Sequence, residues 1–230
     1  NGSTWYLLNE PNDANKDKQI FYYRGGGNGY TNTMFWLRTG IGVMKFVHPD
    51  DTNRDEKEEY IRKKAEPAIR YAEILLIYAE ALNELTGNYN IASWDEETQY
   101  TIQRNIDEMK KGIQPIRIRA GIPDYTRSEY EDQDLFREKL KRERQIELMG
   151  EGHRYYDIRR WKDAEVEESL PIYGCNTLMT EKWRDVFHVP VAIPSLPTNF
   201  SRKMYFWPIS HSELKRNKML TQNPGWTYND

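Results

Sequence analysis

Arg144, Glu147, Glu151 and Arg154 recur three, four and three positions apart, the stride of a single helical face. Two carboxylates four apart on one face are raw material for acid–base chemistry, above all for glycoside hydrolysis, where a carboxyl pair brackets the scissile bond. The flanking arginines argue against that use. A catalytic acid needs a raised pKa, and a guanidinium within helical reach lowers it. Followed backwards, the same face carries Leu140 and Phe136, residues that a helix buries. Two structural readings fit the pattern. One is a buried, matched ion-pair network, because an unpaired buried charge is very costly. The other is a solvated amphipathic helix with intrahelical pairs. On either reading Glu147 and Glu151 are structural.

Other chemistry-bearing residues lack a partner pattern. Gly25-Gly26-Gly27-Asn28-Gly29 has the composition of a phosphate cradle, but no Lys-Ser/Thr follows and no clear helix opens, so it reads as a flexible loop. Asp51, Asn53 and Asp55 match the first three ligand positions of a calcium loop. Glu56 stands where the turn glycine belongs and Arg62 where the closing glutamate belongs, so this is an acidic loop leading into a helix. His48, His153, His188 and His211 show no zinc-ligand spacing, and the lone Cys175 makes neither a disulfide nor a metal cluster. No nucleophile elbow is present. No metal and no cofactor are expected.

The aromatic residues are the better binding candidates. Trp5, Tyr6, Tyr22, Tyr23, Tyr30 and Trp36 crowd the first fifty residues, in loop-rich sequence. Flat rings stack on the apolar C–H faces of sugars, and Asn, Asp and Arg edges take the hydroxyls. Trp5, Tyr23, Tyr30 and Trp36 are the ring-stacking candidates; the competing reading is that each ring packs a small strand layer.

The elements that must hold these residues follow from pattern. The 230 residues carry 33 basic against 36 acidic side chains, a net charge of −3 that disfavours a general nucleic-acid or anionic-membrane binder. No apolar run reaches the 18 residues that would suggest a membrane-spanning helix. Sixteen tyrosines and seven tryptophans in so polar a chain put many rings near solvent. Residues 1–56 read as loops and short strands, 57–162 as a helical core, and 163–230 as a proline-punctuated segment packing on the helices. Pro67 marks the first turn of a main helix whose inner stripe is Ala68, Tyr71, Ala72, Leu75, Ala79 and Leu82, with Gly87 as its stop. Ser93-Trp94-Asp95-Glu96 is a capping box opening the next helix, which Gly112 and Pro115 end. A helix through Arg144 bends or stops at Gly152, and a short one covers Tyr155 to Lys162. Ser210-His211-Ser212-Glu213 caps a last short helix, and Trp226, after Asn223-Pro224-Gly225, folds back as a largely buried clasp.

The stretch from Arg142 to Trp161, Arg-Glu-Arg-x-x-Glu-Leu-x-x-Glu-Gly-x-Arg-x-x-Asp-x-x-Arg-Trp, resembles the signature of the SusD/RagB family. Arg70 to Glu84 is similar to that family's alanine-rich helix, and Arg117-Ile118-Arg119-Ala120-Gly121 to the arginine pair that follows it. Trp207-Pro208-Ile209 through Glu213, with Gln222 to Trp226, is similar to its C-terminal ending. The resemblance implies a mainly α, SusD-like domain with tetratricopeptide-like helix packing, irregular loops and a few short strands. It also implies a surface-exposed outer-membrane lipoprotein that captures glycans, without catalysis, for a partner TonB-dependent transporter. The lipidated cysteine would lie on sequence before Asn1. A peptide-binding member, a helical scaffold binding only proteins, and a hydrolase are the competing functions. In the family the helix more often runs straight into the arginine pair, so Gln114-Pro115 reads here as a break.

Overall fold

The computed structural model describes residues 22–26, 29–30, 36–43, 45–46, 63, 67–194 and 198–228, apart from the side chains of Trp183 and Arg184. The chain is mostly helical, and its contacts gather into two compact units, Asp50–Arg154 and the pair of segments Asn1–Pro49 and Tyr155–Asp230. Trp5 and the acidic loop at Asp51, Asn53 and Asp55 lie outside the described residues.

In the first unit, α1 spans Tyr71–Asn83 behind Arg70, an extended N-cap residue. Pro67 therefore does not open the helix; residues 67–70 are an irregular approach held from outside by the Arg70 side chain. The buried face carries Leu76, Ala79, Leu82 and Asn83, with Ala72 and Leu75 at its edge, while Ala68 and Tyr71 are exposed. The inner stripe is turned from the expected one because α1 is apolar almost all round. Periodicity marks no single inner face on such a helix, and its packing partner decides.

That partner is α2, Ile106–Arg119. A Cβ on Gly112 would lie 2.5 Å from the Leu75 carbonyl and 2.9 Å from the Ala79 Cβ, so Gly112 is a point of close helix approach and not a stop. Pro115 does not end α2 either. It sits on the solvent face, and burying Met109, Ile113 and Ile116 at about 1.5–3 kcal/mol each outweighs the roughly 3 kcal/mol an interior proline costs. The helix thus runs unbroken into Arg117 and Arg119. Its true N-cap is Asn105, whose side chain accepts the Glu108 N–H at 3.1 Å.

Ser93-Trp94-Asp95-Glu96 opens no helix. It closes an antiparallel hairpin of β1, Tyr89–Ala92, and β2, Gln99–Ile102, with Tyr89 opposite Ile102 and Ile91 opposite Tyr100. Ser93 Oγ accepts the Thr98 N–H, Asp95 accepts the Glu97 N–H, and Glu96 takes a left-handed φ of 63°. The short hydroxyl and carboxylate groups that cap helices satisfy turns equally well.

Next come α3, Arg127–Glu131, started by a Thr126/Glu129 capping box, and α4, Gln133–Glu147, capped by Asp132. Phe136 and Leu140 of α4 join Tyr130, Leu76, Met109 and Ile113 in one core. Arg104 ties these helices together: its guanidinium donates to buried Asn83 at 2.9 Å, and Asn83 in turn donates to the Gln133 carbonyl at 3.0 Å. Gly150 and Gly152 follow α4, both with φ near 80°, a conformation that admits glycine readily.

The helix α5, His153–Arg160, begins in the first unit and continues into the second. The second unit holds α6, Ala164–Glu167, and α7, Trp183–Val186. Its small sheet pairs β3, Tyr173–Gly174, with β4, Val191–Ala192. A 3-10 turn at Arg202–Tyr205 and α8, His211–Arg216, complete it. Among its described residues, Ile158, Ala164 and Phe200 form one buried cluster, with Met204 and Tyr205 against them. Ser210 caps α8 by position, but its hydroxyl bonds Ser212 and not the helix backbone. Trp226 is half-buried and not largely buried; its indole N–H donates to the Lys203 and Phe206 carbonyls at 3.0 and 2.9 Å. The indole clasps the 3-10 turn through two carbonyls, of which that of Lys203 also accepts the Phe206 N–H.

Candidate functional site

The charged stripe does not survive as one helical face. α4 ends at Glu147, so Glu151 and Arg154 follow the helix and do not extend it. What gathers the acids is Arg70. Its Nε and Nη2 grip the Glu151 carboxylate, each at 2.7 Å, and its Nη1 reaches Glu147 Oε1 at 2.9 Å. Nη2 also donates to the Glu147 carbonyl at 3.0 Å, serving one of the open carbonyls at the end of α4. The other Glu147 oxygen accepts from Arg119. The Glu151 hydrogen bond, more than any other influence, holds the Arg70 pKa above its usual value against the opposing effect of burial.

Beside this cluster lies a second. Arg117 and the Tyr125 hydroxyl both donate to Glu143 Oε2, and the Arg117 guanidinium lies 3.8 Å over the Tyr125 ring. Burial foremost, then the neighbouring Glu143 charge, pushes the Tyr125 hydroxyl pKa upward. Buried Arg144 stands 3.8 Å from Glu73, and His153 Nδ1 lies 3.4 Å from the same carboxylate. Arg154 is half-buried. Sequence reasoning missed Arg70 as the hub, although a signal existed. A cation at a helix N-terminus opposes the helix dipole, so it calls for acidic partners.

The aromatic candidates fall differently. Tyr23 stands edge-on to Phe187 with ring centres 6.1 Å apart, and Tyr30 edge-on to Trp36 at 5.5 Å; all three of Tyr23, Tyr30 and Trp36 are half-buried. Of the glycine-rich stretch, Gly26 N–H donates to the Tyr23 carbonyl and Gly29 N–H to the Gly26 carbonyl. Large open rings occur later in the chain, where packing was expected: Trp94 at the hairpin tip is 96% exposed and Trp207 76%. Trp94 sits among Ser, Asp and Glu with no apolar period around it, and that context was a readable sign of exposure. Among the described residues, no group of histidine, cysteine or carboxylate side chains is placed to hold a metal ion. Among them no helix is long and apolar enough to cross a membrane.

Comparison with known proteins adds three findings. The model of the SusD family matches residues 1–226. The SusD-like protein P2 of Formosa agariphila is 31% identical over 162 residues, which is 69% of this chain and 25% of that protein. Among solved structures, BT4246 superposes with a TM-score of 0.71 at 24% identity, over 90% of this chain and 33% of that one. A SusD-like protein from Bacteroides fragilis gives 0.62 at 25% identity, over 90% of this chain and 36% of that one. The chain thus spans about a quarter of the curated relative and about a third of the solved ones.

Proposed function

The chain belongs to the SusD family, and from that membership we propose that it forms part of a non-catalytic, cell-surface protein that binds glycans for a TonB-dependent outer-membrane transporter. The observation that carries this reading is the division of labour among side chains. The acids best placed for hydrolysis, Glu147 and Glu151, are engaged by arginines. Large aromatic rings meanwhile stand open to solvent in a strongly polar chain, as at Trp94 and Trp207. Rings of this kind bind by shape and stacking and break no bond. Tyr30 and Trp36, half-buried and set edge to face, offer a further stacking surface. Anchoring through a lipid on preceding sequence and exposure at the cell surface belong to the same proposal.

Calorimetry with a panel of oligosaccharides, run beside an assay for released reducing ends, tests it. Binding without release is the expected result. Release of reducing ends would make the protein a hydrolase, and capture of peptides without any glycan would make it a peptide-binding member.

A further inference from the structure

In the second unit, Arg159 and Lys162 lie against aromatic rings. The Arg159 guanidinium sits 3.5 Å from the centre of the Tyr155 ring and 5.1 Å from that of Phe200. Phe200 stands edge-on to Tyr205 at 4.9 Å, and Lys162 Nζ lies 4.2 Å from the Tyr205 ring. The result is one continuous ladder, its ends Tyr155 and Lys162 exposed. Among the described residues neither cation has a carboxylate within ion-pair distance; the Arg159 side chain bonds only the Tyr155 carbonyl, at 2.8 Å. Its Nε is enclosed without a hydrogen-bond partner. Neighbouring Arg160, by contrast, pairs with Asp157 at 2.9 Å.

The backbone adds a second observation. Lys162 follows α5 with a φ of +63°, and the Asp163 N–H closes back on the Ile158 carbonyl at 2.9 Å. This is the helix-ending position where glycine is strongly favoured, and a side chain there carries strain. The chain uses glycine for the left-handed turns at Gly121, Gly150 and Gly152; among the described residues only Glu96, at the hairpin tip, and Lys162 take such a φ without being glycine. Strain kept at one position points to a use for the side chain. Tyr155 and Arg159 lie on positions that the Arg142–Trp161 signature leaves open, and Lys162 lies just beyond it.

We propose that this ladder binds an acidic sugar residue, with Arg159 and Lys162 holding its carboxylate or sulfate group while the face of Tyr155 takes the pyranose ring. A neutral sugar would use the ring and leave both cations without a counter-charge. The proposal rests on the glycan-binding reading above and narrows its ligand to anionic glycans.

Three probes test it by calorimetry on the purified protein: an oligogalacturonide, a sulfated galacto-oligosaccharide and a neutral galacto-oligosaccharide. Preference for either charged probe, weakening as salt rises, is the expected result, and the favoured probe identifies the acidic group. The deciding variant is Lys162→Gly, which relieves the backbone strain. It should raise Tm while weakening charged-probe binding about tenfold, the loss of one charge-assisted contact. Arg159→Gln should act in the same direction on binding. A higher Tm with unchanged charged-probe binding would reduce Lys162 to a helix terminator and overturn the proposal. Equal binding of all three probes would also overturn it while leaving glycan binding intact, and binding of none would count against both.

Discussion

Arg70 and Glu151, 81 positions apart, are joined by two hydrogen bonds of 2.7 Å each in a fork-to-carboxylate grip. The grip fixes the approach to α1 against the residues that follow α4, and the same guanidinium serves Glu147. A paired geometry of this kind holds direction as well as distance.

Replacing Arg70 with Met should therefore cost about 3–5 kcal/mol, because it takes a two-pronged partner from the largely buried Glu151 carboxylate and one partner from Glu147. Arg119→Ala should cost under about 1 kcal/mol, since that arginine is mostly exposed. Urea denaturation of the two variants decides the matter; equal, small losses would mean that the cluster is solvated.

Glu129 sets an acid limit on stability. The hydrogen bond from Lys139, and after it those from the Thr126 backbone and hydroxyl, hold its pKa down to about 2. A carboxylate depressed in the folded state contributes its full stabilisation above the unfolded pKa and loses it as pH falls towards the folded one. The melting temperature should fall as pH drops from the ordinary carboxylate range towards 2. Glu129→Gln should flatten that slope and lower Tm at neutral pH. An unchanged slope would show that the capping box is not felt thermodynamically.

Gly112→Ala should destabilise, against the roughly 1 kcal/mol gain expected for such a change in an exposed helix. The added methyl meets the Leu75 carbonyl, which is backbone and cannot swing aside. A loss of about 1–3 kcal/mol is expected from forcing the helices apart, read as a lower denaturant midpoint. Any gain in stability would show that α1 and α2 have slack at this contact.

Trp226→Phe keeps a ring in the clasp but deletes the N–H shared by two carbonyls. A loss of about 1–2 kcal/mol is expected, with Trp226→Ala costing more because Lys203 also lies over the ring. Identical losses for the two variants would assign the whole effect to packing.

The helices were legible where the pattern was asymmetric. Phe136 and Leu140 stand out from the charges of α4, whereas the short α3 with its Thr126/Glu129 capping box was not read from the polar stretch that holds it. Legibility failed at Ser93 and at Pro115 for a common reason. Both are local signals with two outcomes, and tertiary packing selects between them. The acids of the cluster could be read from the signature, but Arg70 could not be joined to them, because no helical period spans 81 residues. Ring exposure was the least readable. Tyr23 and Tyr30 pack on other rings, whereas the aromatic-poor surroundings of Trp94 leave it bare.

The second unit is assembled from both flanks of the first, and this shapes its history on the ribosome. Thr39 accepts a hydrogen bond from Cys175, and Tyr23 meets Phe187. Residues 22–43 thus leave the exit tunnel well before their partners have been translated. At roughly 5–20 residues per second the wait is on the order of ten seconds. The continuous Asp50–Arg154 stretch has everything it needs for its own core during that interval. Nascent-chain order therefore runs from the middle outwards, and the early aromatic segment stays available to chaperones until Cys175 and Phe187 emerge.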